Sequence, residues 1–312
     1  MANEVQKDLK LYYNGKDITK DVDILECVVR DVSGRESDCL NLLVDHADKW
    51  FKWGVEKNDV LRVTRAKYDS KALYLNTIVP EEGAFRIFAT GTKCTPFPAK
   101  WESYEKKTLA AIMGTCAGEG GMGSRMSGVS GGILYEYLLR ENMSAPVFLE
   151  QLVNREGGVL KSMDGKFVAI GIQYAQGLSC VHTVKLGGKL AQSEYVDRRD
   201  ESWSSVTIDT MFGSGGAIDS KSSGKARVIT DLTVDNDAQA KRWAKGILLN
   251  HNRRCEMLNL EMEFNPGYTA MVRINAESKT DAAGAWIVDE VEQNLVLGRT
   301  KAKLLRCVTS IS

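Results

Sequence analysis

The chain has 312 residues, with 41 Lys+Arg against 41 Asp+Glu, zero formal net charge and 43% hydrophobic residues. That length suits two or three domains and can bury real cores without disulfide or metal staples. The charges stay close to balance within 1–100, 101–178 and 179–312 taken separately, which leaves no electrostatic footprint for a specific nucleic-acid groove or an anionic membrane surface.

The opening MANEVQKDLK has no apolar h-region, so no signal peptide is expected. Residues 1–100 then read as short strands at 9–13, 24–30, 38–45, 59–65, 71–79 and 85–91, separated by turn signals. Alternation is clear in DVLRVTR, where Leu61 and Val63 stand against Arg62 and Thr64. This spacing predicts a first β-barrel or sandwich. Trp50 and Trp53 read as a hydrophobic plug at its end, with a protein contact as the alternative.

Residues 101–178 read as an α+β insert. Leu109, Ile112, Met113 and Cys116 share a helix face. The stretch 114–132 is Gly-rich and predicts a flexible or folded-back loop. A helix is expected around 133–142. Ser144 and Pro146 open another, APVFLEQLVNRE, stopped by Gly157-Gly158. VLKSM and KFVAIGI around Asp164-Gly165 predict a hairpin. The stretch 167–184 lacks Asp, Glu, Lys and Arg, but Gln173, Gln176 and His182 make it too polar to span a membrane; it reads as strands with a turn.

Residues 179–312 return to strands at 180–186, 205–212 and 226–232. Ala240, Trp243, Ala244, Ile247 and Leu248 then form one helical stripe, with Asn236 and Gln239 placed for a capping box and Arg253 and Arg254 in the last turn. Leu258, Leu260, Met262 and Phe264 alternate with polar residues. Asn265-Pro266-Gly267 supplies turn chemistry, and Met271, Val272 and Ile274 open a return strand, so 256–274 reads as a hairpin. Further strands are expected at 285–296 and 300–309. Together these predict a second barrel carrying one amphipathic helix, with Trp243 in its core or at a subunit contact. The fold class is thus α+β and β-rich: two β-barrels with a helix–helix–hairpin insert between them.

No catalytic, cofactor-binding or metal-binding residues stand out. Gly118–Gly123 matches GxGxxG, but after a predicted helix and outside any βαβ unit. His46, His182 and His251 are too dispersed for a zinc spacing, and His46 reads as part of a charged strand end. His251 reads as a helix-terminal residue, and Cys116 has no assignable His partner. The seven cysteines include no CxxC and read as reduced core thiols of a chain folded in the cytosol.

Four stretches resemble the tail hub family, the late-control gene D proteins of contractile phages and the hub-like first part of VgrG. They are DVSGRESDCLNLLVDHADKWFKWGVEKNDVLRV (31–63), SAPVFLEQLVNREGGVLKSMDGKFVAI (144–170), AQAKRWAKGILLNHNRRCEMLNLEMEFNPGY (238–268) and GAWIVDEVEQNLVLGRTKAKLLR (284–306). Their order and spacing carry the likeness over most of the chain. It implies two tube-like barrels (1–100 and 179–312) flanking the insert (101–178), and a non-enzymatic homotrimer that adapts a six-fold tail tube to a three-fold spike. Implied partners are the tail tube or its initiator, the spike, baseplate wedge proteins and the tape measure protein, in a virion baseplate or R-type bacteriocin assembled in the bacterial cytoplasm. With Ser312 as the last residue, no fused lysozyme-like, peptidase or needle domain is expected. A hexameric distal tail ring protein and a cell-wall hydrolase of the same particle are the competing readings.

Overall fold

The computed structural model describes residues 8–45, 47–187 and 191–312. The first hundred residues form β1 (Leu9–Tyr13), β2 (Lys16–Asp17), β3 (Ile24–Val32), β4 (Cys39–Asp45), α1 (Ala47–Trp53), β5 (Val60–Arg65), β6 (Tyr68–Asp69), β7 (Leu73–Glu81) and β8 (Ala84–Thr90). Every strand expected there is present. The inward side chains of β1, β3, β4, β5, β7 and β8, among them Leu11, Val29, Leu42, Leu61, Val63 and Ile87, converge on one apolar core. Trp50 is buried against Tyr13 and Trp53, with ring centroids 5.8 and 5.2 Å away, as a plug would be.

The middle of the chain forms β9 (Lys100–Thr108), α2 (Leu109–Gly118), β10 (Gly123–Ser127), β11 (Leu134–Met143), α3 (Ala145–Arg155), β12 (Gly158–Met163), β13 (Lys166–Gly171) and α4 (Ile172–Gly177). Helix α2 buries Leu109, Ile112, Met113 and Cys116, as its stripe predicts, and the Thr108 side chain caps it by accepting from Ala111 N. The β12–β13 hairpin turns at Asp164-Gly165 with φ of 50° and 67°, the doubly left-handed pair that matches strand twist.

Two expectations for this region are corrected and one, the Gly-rich stretch, is narrowed to its folded-back alternative. Residues 134–143 form a strand and not a helix. Their apolar spacing suits either period, and antiparallel pairing with β9 decides. Strand β9 is hard to see in the sequence because its KWESYEKKT is charge-rich and buries only Tyr104. The Gly-rich stretch is folded back and partly regular: α2 runs to Gly118, Gly121 turns at φ 63°, and β10 pairs in parallel with β13. The polar run 167–184 contains α4 between strands, where a turn was expected.

The remainder forms β14 (His182–Lys185), β15 (Ala191–Asp197), a 3-10 turn (Arg199–Glu201), β16 (Trp203–Thr210), β17 (Gly213–Ile218), β18 (Lys225–Ile229), α5 (Asp237–Asn252), β19 (Glu256–Glu263), β20 (Arg273–Glu277), β21 (Gly284–Asn294) and β22 (Arg299–Arg306). At the start of α5, Asn236 Oδ1 accepts from Gln239 N at 3.0 Å, while Gln239 Oε1 reaches Asp235 N at 2.8 Å, one residue before the position a capping box would use.

The expected 256–274 hairpin is absent. Strand β19 lies between β15 and β22, whereas β20 pairs with β14 and β21. The Asn265-Pro266-Gly267 turn does form, with Gly267 N donating to Asn265 Oδ1, but it redirects the chain to another edge. Helix α5 also differs in its packing. It lies on β16, β17 and α3, so Trp243 joins a helical core with Phe148, Leu149, Leu152 and Val153 of α3 rather than the cluster of Leu258, Trp286, Val291 and Leu304.

The two strand-rich regions are continuous. One fourteen-stranded sheet follows the path β15-β19-β22-β21-β3-β4-β8-β7-β5-β1-β2, with β20, β14 and β6 attached beside it. The joint is an antiparallel ladder between β3 and β21, from Val32 opposite Glu290 to Val28 opposite Asn294.

Candidate functional site

The β3–β21 joint is reinforced by side chains. Arg30 Nε donates to Glu290 Oε1 at 2.5 Å and Arg30 Nη1 to Glu36 Oε2 at 2.5 Å, while Ser33 Oγ donates to Asp289 Oδ1 at 2.6 Å. The adjoining sheet face is an alternating charge ladder. Lys301 stands opposite both Glu261 and Glu292, and Glu292 stands opposite Arg30. Each of these cations faces an anion across a strand, so the face is polar with its charges paired.

A buried ionic node ties the insert to that joint. Lys161 of β12 donates to Asp31, to Asp38 Oδ1 at 2.6 Å and to Val32 O at 3.0 Å, and Asp31 Oδ2 accepts from Ala270 N at 3.1 Å. Burial pushes the Asp38 carboxyl up to about 6; Lys161 pulls it down and the charge of Asp31 pushes it up again. Burial alone would lower the Lys161 ammonium, but the two carboxylates outweigh it and hold its pKa above the usual lysine value. Three stretches distant in sequence meet at this lysine. Nothing in VLKSM marks it except that β12 is buried on both faces.

A second node centres on Glu156, just past α3. It accepts from Trp243 Nε1 at 2.7 Å, Tyr135 OH at 2.8 Å and Arg242 Nε at 3.1 Å. Arg155 lies 4.9 Å over the Trp243 ring. Gly246 permits the approach of α5 to this end of α3, since a Cβ there would meet Arg155 O at 2.0 Å and Gly157 N at 2.5 Å.

Arg253 and Arg254, read in the sequence as helix-end cations, prove to line a cavity of about 220 Å³ between the β3–β4 turn, α3, β12 and the end of α5. Arg253 is 1% exposed, and burial lowers its guanidinium to about 10.

The motifs weighed for chemistry are dispersed. Gly118–Gly123 covers a helix end, a turn and the start of β10, with no strand–loop–helix cradle. His182 stacks on Tyr268 at 5.3 Å, and His251 stacks on Trp203 at 3.6 Å with Nε2 within 2.9 Å of Glu201 O. His46 lies outside the described residues. Cys116 is buried beside Tyr104 OH at 3.3 Å, and burial raises its thiol, the reverse of an activated nucleophile. All seven cysteines are free, and no group of three His, Cys, Asp or Glu that could hold a metal occurs among the described residues. No helix among them is long and apolar enough to cross a membrane. The exposed large apolar side chains include Trp101 on β9 and Met211-Phe212 at the β16–β17 turn, at 68%, 87% and 62% exposure.

No protein-family model matches the chain, and no curated protein matches it in sequence. Solved structures share its fold. The tail protein from Neisseria meningitidis superposes with a TM-score of 0.73 at 10% identity over 96% of each chain. The 43 kDa tail protein of prophage MuSo2 from Shewanella oneidensis gives 0.67 at 12% identity, again over 96% of each chain. An E. coli component of the type VI secretion system, described as structurally similar to the T4 bacteriophage tail proteins gp27 and gp5, gives 0.58 at 11% identity over 96% of this chain and 77% of its own. The chain therefore has the fold found in these phage tail and secretion-system proteins.

Proposed function

We propose that this chain is a structural baseplate hub of a contractile tail or phage-tail-like particle, a homotrimer that adapts the six-fold tail tube to a three-fold spike. The observation that carries the reading is the continuous sheet wrapped on two separate apolar cores and joined at β3–β21, in a fold shared end to end with tail proteins. Two tube-like β units per subunit, drawn from 1–100 and 179–312, would give a trimer six similar units around its axis. The insert, 101–178, is completed by α5 and β16–β18, which share its core. The charge-alternating face suits a lumen that must not hold a passing polymer. Trp101, Met211 and Phe212 suit contacts with the tube or its initiator, the spike, the wedge proteins or the tape measure protein. The particle would be assembled in the bacterial cytoplasm, and the role is not enzymatic.

The test is light scattering of the purified chain, alone and with its neighbouring spike protein. A mass three times the 34.5 kDa chain, with capture of the spike, supports the hub. A hexamer moves the reading to a distal tail ring, and a monomer indifferent to spike and tube components counts against both.

A further inference from the structure

The cavity lined by Arg253 has a chemistry independent of the hub reading. Its walls bring Arg35, Arg198, Arg253, Arg254 and Lys303 against only Glu150 and Asp289. The charge balance of the chain as a whole is therefore broken locally, in a concave and largely enclosed place.

The second observation is Arg253 itself. All three of its guanidinium nitrogens are buried and find no hydrogen-bond partner among the described residues. Its nearest carboxylate oxygen, Asp289 Oδ1, stands 3.5 Å from Nη2 and already accepts from Ser33 Oγ at 2.6 Å. A guanidinium presents five N–H donors in a planar fork, and burial without acceptors is strongly unfavourable. Other buried cations here are answered. Lys161 meets two carboxylates, and the Arg140 side chain, also inaccessible, donates to Glu119 at 2.7 Å and to two backbone carbonyls.

We propose that the cavity is an oxyanion site that takes a carboxylate or phosphate-type group on the Arg253 fork, with Arg35, Arg198 and Lys303 supplying the rest of the charge. The volume suits one such group and no polymer. The fork matches the paired oxygens of either anion. Because Arg35 comes from the β3–β4 turn, Arg253 and Arg254 from the end of α5 and Lys303 from β22, an anion there would bridge three parts whose cations otherwise repel. The anion could be a free ion or an acidic side chain offered by another protein surface.

The experiment is thermal unfolding of the full chain at constant ionic strength in sodium chloride, with sodium phosphate, sodium sulfate or sodium glutarate replacing part of the salt. The expected result is a saturable rise in midpoint with at least one of the three. That response should vanish in Arg253→Met. In Arg35→Gln, an exposed rim change that leaves the core intact, its apparent affinity should fall about two- to fivefold. A preference for glutarate assigns the source to an acidic side chain, and a preference for phosphate to a free ion. The proposal is overturned if none of the three anions gives a saturable rise beyond chloride, or if Arg35→Gln and any folded Arg253→Met respond as the wild type does. Should Arg253→Met not fold, Arg35→Gln and Lys303→Gln decide it.

Discussion

Trp243→Ala is the sharpest perturbation the fold offers. The indole is fully buried in the helical core, its Nε1 donates to Glu156 at 2.7 Å, and its face carries the Arg155 guanidinium at 4.9 Å. Truncating a buried Trp to Ala costs about 3–5 kcal/mol through lost transfer energy and the cavity left behind. Within that, a hydrogen bond to a charged acceptor accounts for about 1.5–3 kcal/mol. Trp243→Phe should isolate this polar part, since it keeps most of the ring and removes the donor. Glu156 would keep Tyr135 and Arg242 as partners, so the Phe variant should fold. The assay is denaturant unfolding followed by circular dichroism, with free energies extrapolated to water. The expected order of stability is wild type, then Phe, then Ala. An Ala variant within about 1 kcal/mol of wild type would refute the core assignment, because a loss that small belongs to surface positions.

Burial pushes the Asp38 carboxyl up to about 6 in the fold from an ordinary aspartate value of 3.8, so the folded chain holds a proton that the unfolded chain has already released between those values. Its contribution is full below about pH 4 and declines as pH rises through about 6, by an amount on the order of 2–3 kcal/mol; Asp38→Asn should flatten that slope in unfolding measured from pH 4 to 7, and an unchanged slope would discount the node. Lys161→Met should cost about 3–5 kcal/mol, since it leaves buried Asp38 and half-buried Asp31 without their cation; calorimetry that finds the variant as stable as wild type would contradict the node's geometry. Gly246→Ala should lower the melting temperature, because its Cβ would strike the backbone at Arg155 and Gly157, a clash of about 1–3 kcal/mol that exceeds the gain in helix propensity; a rise in melting temperature would show that α3 and α5 are not in close contact. With a thiol reagent at neutral pH, exposed Cys180 should react fast, while Cys27, buried and pushed up to about 12, should wait for denaturant; fast reaction of all seven thiols in the native chain would be incompatible with this packing.

Much of the local structure was legible from the residues. Short runs separated by turn signals located β1, β3, β4, β7 and β8, and alternation marked β5. The 3.6-residue stripes located α2 and α5, the start and stop signals at Ser144, Pro146 and Gly157-Gly158 located α3, and Asp164-Gly165 located its hairpin. In each case the signal lies within one element, where side-chain period and turn chemistry act directly. Strand β9 was hidden because its charges face solvent, and β11 took the extended form because β9 was there to pair with it. The sequence could show that β19 and β20 are strands and that a turn separates them. It could not show that they pair elsewhere, because a strand's partner is chosen by distant edges and not by the turn that precedes it.

The same division runs through the candidate site. The even charge of the chain was readable from composition alone, as was the lack of any spaced catalytic or metal motif. The places where charge is buried were not. Lys161 meets Asp31 and Asp38 only where β12 packs against β3 and the β3–β4 turn, and Arg253 is sealed beside Arg35 and Lys303 only where the end of α5 meets that turn and β22. Burial and pairing depend on what is packed around a residue, and those neighbours lie scores of positions away along the chain. Periodicity therefore determined which segments became strands and helices. Tertiary contact alone decided that they form one sheet over two strand-lined cores, with a basic cavity where the parts meet.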